Sequence, residues 1–138
     1  SLVTRPGIER VEDLKGKKVV LYFYPKDNTS GCTKEACSFQ ESFSALKKKK
    51  AIVLGVSADS ASSHAKFAAK YDLTFSLLSD EKKEVLKAYG VWKEKSMYGR
   101  KYMGIERTTF IIDEDGKIAQ IFSKVKVDGH TEEVLAAL

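Results

Sequence analysis

The chain alternates between two kinds of apolar pattern. Val19-Val20-Leu21-Tyr22-Phe23-Tyr24 is an unbroken apolar, β-branched and aromatic run between lysines and Pro25, which predicts a strand buried on both faces. Lys26 to Gly31 is turn chemistry, with Asp, Asn, Thr, Ser and Gly in succession. From Cys32 the apolar positions fall at helical spacing, Ala36, Phe39, Phe43 and Leu46, predicting one helix that runs into Lys47-Lys48-Lys49-Lys50. Cations there complement the helix macrodipole and stay solvated.

Ile52 to Ser57 predicts a second buried strand, and Ser60 caps a helix reaching Tyr71. A short strand over Phe75 to Leu78 and a helix of two to three turns over Glu81 to Tyr89 come next. Thr108 to Ile112 and Lys117 to Phe122 flank Asp113-Glu114-Asp115-Gly116, a hairpin signal, and a last helix spans Thr131 to Leu138. Between them Trp92 to Gly104 is read as an irregular loop, with two glycines, several lysines and interleaved aromatics. Alternating β and α elements imply parallel strands with helices on both faces, and the hairpin adds antiparallel strands at one side. The expected fold is an α/β three-layer sandwich with a mixed central sheet, the arrangement of thioredoxin-like proteins. Residues 1–138 are expected to form a single domain.

Composition changes little in that picture. The chain has 138 residues, of which 43% are hydrophobic and 31% charged, values ordinary for a globular domain. No apolar run has the length of a membrane span, and the charged N-terminal stretch lacks the apolar core of a secretory signal. A cytoplasmic location and no membrane partner are expected. The net charge of +5 is compatible with nucleic acid, but much of it lies in the Lys47–Lys50 run. Two cysteines five positions apart, in a chain with room for a full core, point to redox chemistry rather than a disulfide scaffold.

The chemistry concentrates in Pro25-Lys-Asp-Asn-Thr29-Ser-Gly-Cys32-Thr-Lys-Glu35-Ala-Cys37. Cys32 follows a buried strand and opens a helix, where unpaired N–H groups and the positive dipole end favour an anion. The thiolate is the reactive form of a cysteine. At about 100° per residue, Cys32 projects near the centre of the apolar stripe and Cys37 roughly 140° away from it. Cys32 is thus expected to face a pocket at the helix base, with Cys37 facing elsewhere. Taken singly, a cysteine is more often a small buried apolar residue, and Thr29 more often a turn hydroxyl. An iron–sulfur cluster would need four thiolates where this chain has two. His64 and His130 are not at zinc-ligand spacing to the cysteines, so no metal is expected.

The Pro25-x-x-x-Thr29-x-x-Cys32 signature resembles that of the peroxiredoxins. The extended run YFYPKDNTSGCTKEAC, with LSD at 78–80, YGVW at 89–92 and GIERTTFIIDEDGKI at 104–118, is similar to the bacterioferritin comigratory protein (peroxiredoxin Q) branch. The likeness runs from about Val11 to the C-terminus. It implies a thiol peroxidase that reduces hydrogen peroxide and organic hydroperoxides without metal, haem or flavin.

By the same resemblance, Cys32 is the peroxidatic cysteine and Thr29 the hydroxyl that hydrogen-bonds thiolate and peroxide. Arg107 is the arginine returning to the pocket from a distant strand, and Glu35 the carboxylate that orients it. Pro25 and Gly31 shape the turn. Cys37 is the resolving cysteine, forming a disulfide with Cys32 that a thioredoxin or similar dithiol reduces. The chain is expected to act as a monomer. Two departures from the family pattern stand out: Ser30 replaces the usual proline, removing a fixed φ, and the N-terminus is shorter, lacking much of the usual first hairpin.

Two other functions fit parts of the sequence. A thioredoxin-like disulfide oxidoreductase would use paired cysteines, although with two residues between them rather than four. A nucleic-acid-binding module would use the basic aromatic segment Lys93 to Tyr102.

Overall fold

The computed structural model describes residues 16–138. The reading of a shortened first hairpin lies outside the described residues. The central strand is β1 (Lys18–Phe23), and all but its first residue are buried. It is buried on both faces because it has neighbours on both edges and layers above and below. β2 (Ala51–Ser57) runs parallel to it, with Leu21 opposite Leu54, and β3 (Ser76–Ser79) runs parallel to β2. On the other edge β6 (Thr108–Ile112) is antiparallel to β1, and β7 (Ile118–Phe122) is antiparallel to β6. The sheet order is β3-β2-β1-β6-β7, a mixed sheet as the sequence predicts.

Alternate residues of β1 divide the core in two. Val20, Tyr22 and Tyr24 pack with Cys32, Ala36 and Phe39 of α1 (Ser30–Glu41), Leu46 of α2 (Phe43–Lys48), Phe67 of α3 (Ala61–Lys70) and Val134 of α5 (His130–Ala137). Val19, Leu21 and Phe23 pack on the opposite face with Leu86 of α4 (Glu84–Ala88), Val91, Ile105 and Phe110. Fully burying each such aliphatic or aromatic side chain contributes about 1.5–3 kcal/mol. A three-layer α/β sandwich results, with most of its helices on the Tyr22 face.

Three elements differ from the sequence reading. The helix expected from Cys32 to the lysine run is two, because Ser42 sits at φ −94°, ψ 8° and breaks the axis between α1 and α2. The helix expected over Glu81–Tyr89 shrinks to Glu84–Ala88. Lys83 adopts a left-handed φ of 62°, and the buried Asp80 carboxylate accepts from the Leu86 N–H at 2.8 Å, so the first turn is replaced by a side-chain-braced turn.

The third difference is the segment read as an irregular loop. It is a regular antiparallel hairpin, β4 (Trp92–Met97) paired with β5 (Arg100–Ile105) from Trp92↔Ile105 to Met97↔Arg100. Its two-residue turn is Tyr98-Gly99, both at positive φ (52° and 78°), as a type I′ hairpin requires. Tyrosine in place of the usual Asn or Asp hid that turn, and the charges along both strands hid the alternation.

The hairpin expected at Asp113–Gly116 is present. Asp113 Oδ1 accepts from the N–H groups of Asp115 and Lys117, each at 3.0 Å. Ser60 caps α3 as expected, accepting from the Ser63 N–H at 3.1 Å. Among the described residues no helix is long and apolar enough to cross a membrane.

Candidate active site

The site forms where β1 gives way to α1. The Tyr24 N–H makes a last bond to the Val56 carbonyl at 3.0 Å, and Pro25, exposed and without an N–H, ends the strand there. The chain turns through Asn28 at φ 58° and reaches Thr29, the residue capping α1 in extended conformation. Cys32 is in the first turn of the helix and is 1% exposed, among Tyr22, Tyr24, Ala36 and Phe39.

Arg107 comes from the far side of the sequence. Thr108 pairs with Phe23 in the antiparallel β1–β6 register, so the residue before it lies at the carboxyl end of β1, beside the base of α1. The Val125 N–H bonds the Arg107 carbonyl at 2.9 Å and fixes its backbone. Its guanidinium donates from Nη1 to Glu35 Oε1 at 2.6 Å and from Nη2 to Cys32 Sγ at 3.3 Å. Sequence reasoning placed Cys32, Glu35 and Arg107 in one site, and the structure brings all three together.

Gly31 acquires a reason that the sequence did not reveal. A Cβ built there would stand 3.2 Å from Arg107 Nη2, so a bare backbone is what lets the guanidinium lie across the helix start.

Electrostatics follow from burial. Burial pushes the Glu35 carboxyl up to about 7, outweighing the pull of Arg107 beside it. Its Oε2 is buried with no hydrogen-bond partner among the described residues. Burial works against the Arg107 charge, but Glu35 and Cys32 more than offset it and hold the guanidinium protonated.

Cys37 lies half-buried further along α1, and both cysteines are free. Burial, with help from the nearby Glu41 carboxylate, raises its thiol above the ordinary range.

One expectation needs correction. The Thr29 hydroxyl donates to the Lys26 carbonyl at 2.9 Å and makes no bond to Cys32. Its proton is committed to closing the turn, which leaves its lone pairs free. Two surface cavities among the described residues, of about 350 and 450 Å³, are lined by Asp27, Ser63 and Lys70 and by Phe43, Lys47 and Phe75 respectively.

A buried polar network beside the site escaped the sequence reading altogether. Asp27 accepts from the Tyr24 hydroxyl at 2.6 Å and the Ser63 hydroxyl at 2.8 Å, and lies 2.7 Å from His64 Nδ1. The Asp27 N–H donates to Asp59 Oδ2 at 2.8 Å, and His64 Nε2 lies 3.0 Å from the Leu78 carbonyl. His64 is 4% exposed. Ligand atoms of Asp27, Asp59 and His64 lie within 4.8 Å of one another. Their oxygens are already engaged by O–H and N–H donors, so the cluster reads as a brace for the turn rather than a cation cage. Only the period of α3 hints at it, since Phe67 and His64 share a face.

Comparison with known proteins places this geometry. The AhpC/TSA family model matches residues 7–121. The chain belongs to the AhpC/TSA family, the peroxiredoxins. Like the rest of that family, this peroxiredoxin is a thiol-dependent peroxidase. It is 56% identical over 128 residues to a putative peroxiredoxin bcp of Coxiella burnetii, covering 93% of this chain and 85% of that one. It is 47% identical over 129 residues to peroxiredoxin Bcp of Bacillus subtilis, covering 94% and 82%. Among solved structures it superposes on the bacterioferritin comigratory protein of Xanthomonas campestris with a TM-score of 0.93 and 42% identity, covering 99% of this chain and 87% of the other. That Xanthomonas protein is described as having alkyl peroxide reduction activity.

Proposed function

We propose that this peroxiredoxin reduces hydrogen peroxide and organic hydroperoxides through Cys32, and that Cys37 resolves the product. The observation that carries the reading is the Arg107 fork, one nitrogen on Glu35 and the other on Cys32 Sγ. A solvent-facing arginine would not be drawn onto a buried sulfur.

The steps follow from the residues present. The Cys32 thiolate attacks the terminal oxygen of ROOH; an S–O bond forms, the O–O bond breaks, and the electron pair leaves on RO⁻. Free N–H groups at the start of α1 and the Arg107 guanidinium hold the two oxygens in line and stabilise the departing charge. The Thr29 oxygen, its own proton given to Lys26, accepts the peroxide O–H. Cys32 becomes a sulfenic acid, and condensation with the Cys37 thiol releases water and forms a disulfide. A thioredoxin-like dithiol then returns both thiols by exchange. The chain works as a monomer in this scheme, since every group named belongs to one copy.

Thiol counting after one equivalent of peroxide tests it, with mass spectrometry locating the oxidised sulfurs. Wild type loses two thiols to a Cys32–Cys37 disulfide. Cys37→Ser still reacts once and accumulates Cys32 sulfenic acid, while Cys32→Ser consumes no peroxide. Equal loss of the first oxidation in both variants would refute the assignment.

A further inference from the structure

At its base the β4–β5 hairpin packs Trp92 and Ile105 into the core, but its outer part does not. The apolar side chains nearer its tip are largely in solvent: Met97 is 56% exposed, Tyr98 98%, Tyr102 44% and Met103 49%. Lys95, in the middle of β4, is half-buried instead. Ordering and partly desolvating a lysine while aromatics stay wet costs free energy unless the charge has something to act on.

The path of the side chain is defined by a glycine. A Cβ at Gly104 would stand 3.2 Å from Lys95 Cδ and 3.5 Å from its Cε, so the lysine stem lies along the bare backbone of Gly104 on the facing strand. Gly104 is three residues before Arg107, on the segment that delivers the guanidinium to Cys32. The neighbouring carboxylate is already taken, since Lys93 Nζ donates to Glu106 Oε2 at 2.8 Å. Lys95 itself makes no hydrogen bond or ion pair among the described residues.

The charge count at the site shows what such a cation supplies. One guanidinium is shared between two acids, Glu35 at 2.6 Å and Cys32 at 3.3 Å. Once Glu35 and the Cys32 thiol are both ionised, Arg107 alone leaves the cluster one negative charge in excess. The departing alkoxide then carries that excess into a largely dry site, where unbalanced charge is costly.

We propose that Lys95 is the second cation of the thiolate site, reaching along Gly104 from the β4–β5 hairpin to balance the Cys32 thiolate and then the departing alkoxide. The inference rests on Cys32 being the attacking thiolate. Burial, followed by repulsion from Arg107, holds the Lys95 ammonium below its ordinary range, against the opposing pull of Glu106 and Cys32. Lys95 forms no covalent bond. It is a positioning and charge-balancing residue, and the hairpin is the arm that carries it.

The test is single-turnover oxidation by hydrogen peroxide across pH, on the full chain. Lys95→Met keeps the apolar stem over Gly104 and removes only the charge. Its second-order rate should fall about tenfold at neutral pH, and the acidic limb of its pH–rate profile should move up by about one unit. Lys95→Arg should recover the rate to within about threefold, because it restores a cation at similar reach. Gly104→Ala displaces the stem and should lose rate on its own, but should lose almost none when added to Lys95→Met.

Packing alone would leave the pH profile of Lys95→Met unmoved, and that result overturns the proposal; so does additivity of the two variants. Mass spectrometry on wild type separates the two failures. If peroxide does not oxidise Cys32, the reading of the site falls and this inference with it. If Cys32 is oxidised and Lys95→Met matches wild type, only the role of Lys95 is lost.

Discussion

Gly31 lies against the guanidinium of Arg107, with room for a hydrogen but not for a methyl group: a Cβ there would meet Nη2 at 3.2 Å. Gly31→Ala should therefore disturb the chemistry without unfolding the chain, because alanine favours the helix that begins here. The guanidinium must shift by a few tenths of an ångström, and the bond to Cys32 Sγ, already 3.3 Å, lengthens. The expected outcome is a loss of about ten-fold in the rate of Cys32 oxidation, against ~10²–10³ for Arg107→Ala. Arg107→Lys should fall between them, since a point charge cannot bridge Glu35 and Cys32 as the planar fork does. Stopped-flow peroxide consumption orders the three variants. An order in which Gly31→Ala is slowest would exclude this account.

Glu35 makes stability depend on pH in an unusual direction. Its carboxyl titrates at about 7 in the folded chain and at about 4.5 when unfolded, chiefly because it is buried. Between those values the native state holds a proton that the unfolded state has lost, so stability falls as pH rises. The contribution is fully present below about 4.5 and gone once pH has passed about 7. Glu35→Gln removes the titration. Unfolding free energies from urea titrations at pH 5 and pH 8 should converge in Glu35→Gln relative to wild type, by an amount on the order of a few kcal/mol. An unchanged gap would show that Glu35 does not titrate in this range.

Asp27 should act with the opposite sign. Burial works against its charge, but hydrogen bonds from His64 and Tyr24 outweigh it, and the carboxyl is held below its ordinary 3.8. The stability it supplies is present above that value and is lost as pH falls through the lower folded value. At neutral pH, Asp27→Asn leaves His64, Tyr24 and Ser63 with a poorer acceptor and should cost about 1–3 kcal/mol. Because the network braces the turn before Cys32, thermal melts should show the loss at pH 7 and a shrinking one as the pH is taken below 3.8.

The two cysteines cannot bond on the intact α1. In a continuous helix, which α1 is from Ser30 to Glu41, residues five apart are separated by about 7.5 Å along the axis, and disulfides rarely exceed about 7 Å between Cα atoms. For the proposed disulfide to form, the first turns must unwind. Hydrogen exchange should speed between Thr29 and Phe39 in the disulfide form and stay slow at Leu54, which is fully buried in β2. Ser30→Pro, by restricting φ, should slow disulfide formation and raise over-oxidation of Cys32. Equal protection of residues 29–39 in both redox states would contradict this.

The sequence by itself determined the elements whose signal is local. The β1 run, the Ser60 cap, the Asp113–Gly116 turn and the helix opening at Cys32 each rest on residues within a few positions of one another, where propensity and periodicity act. It also named Cys32, Glu35 and Arg107, through a motif whose spacing is itself local and a family likeness that joined the distant arginine to it.

The remaining features depend on partners that the sheet brings together from distant positions. Antiparallel register, not spacing, sets Arg107 beside α1 and lays its guanidinium over Gly31. Nothing local marks His64 as buried, because Asp27, its partner, is 37 residues away. Lys95 looked like one lysine among many, and the hairpin that tucks it along Gly104 was hidden by a Tyr-Gly turn. Burial converts such residues from solvated charges into determinants of the site, and burial is a property of the whole packed chain that no short stretch of sequence encodes.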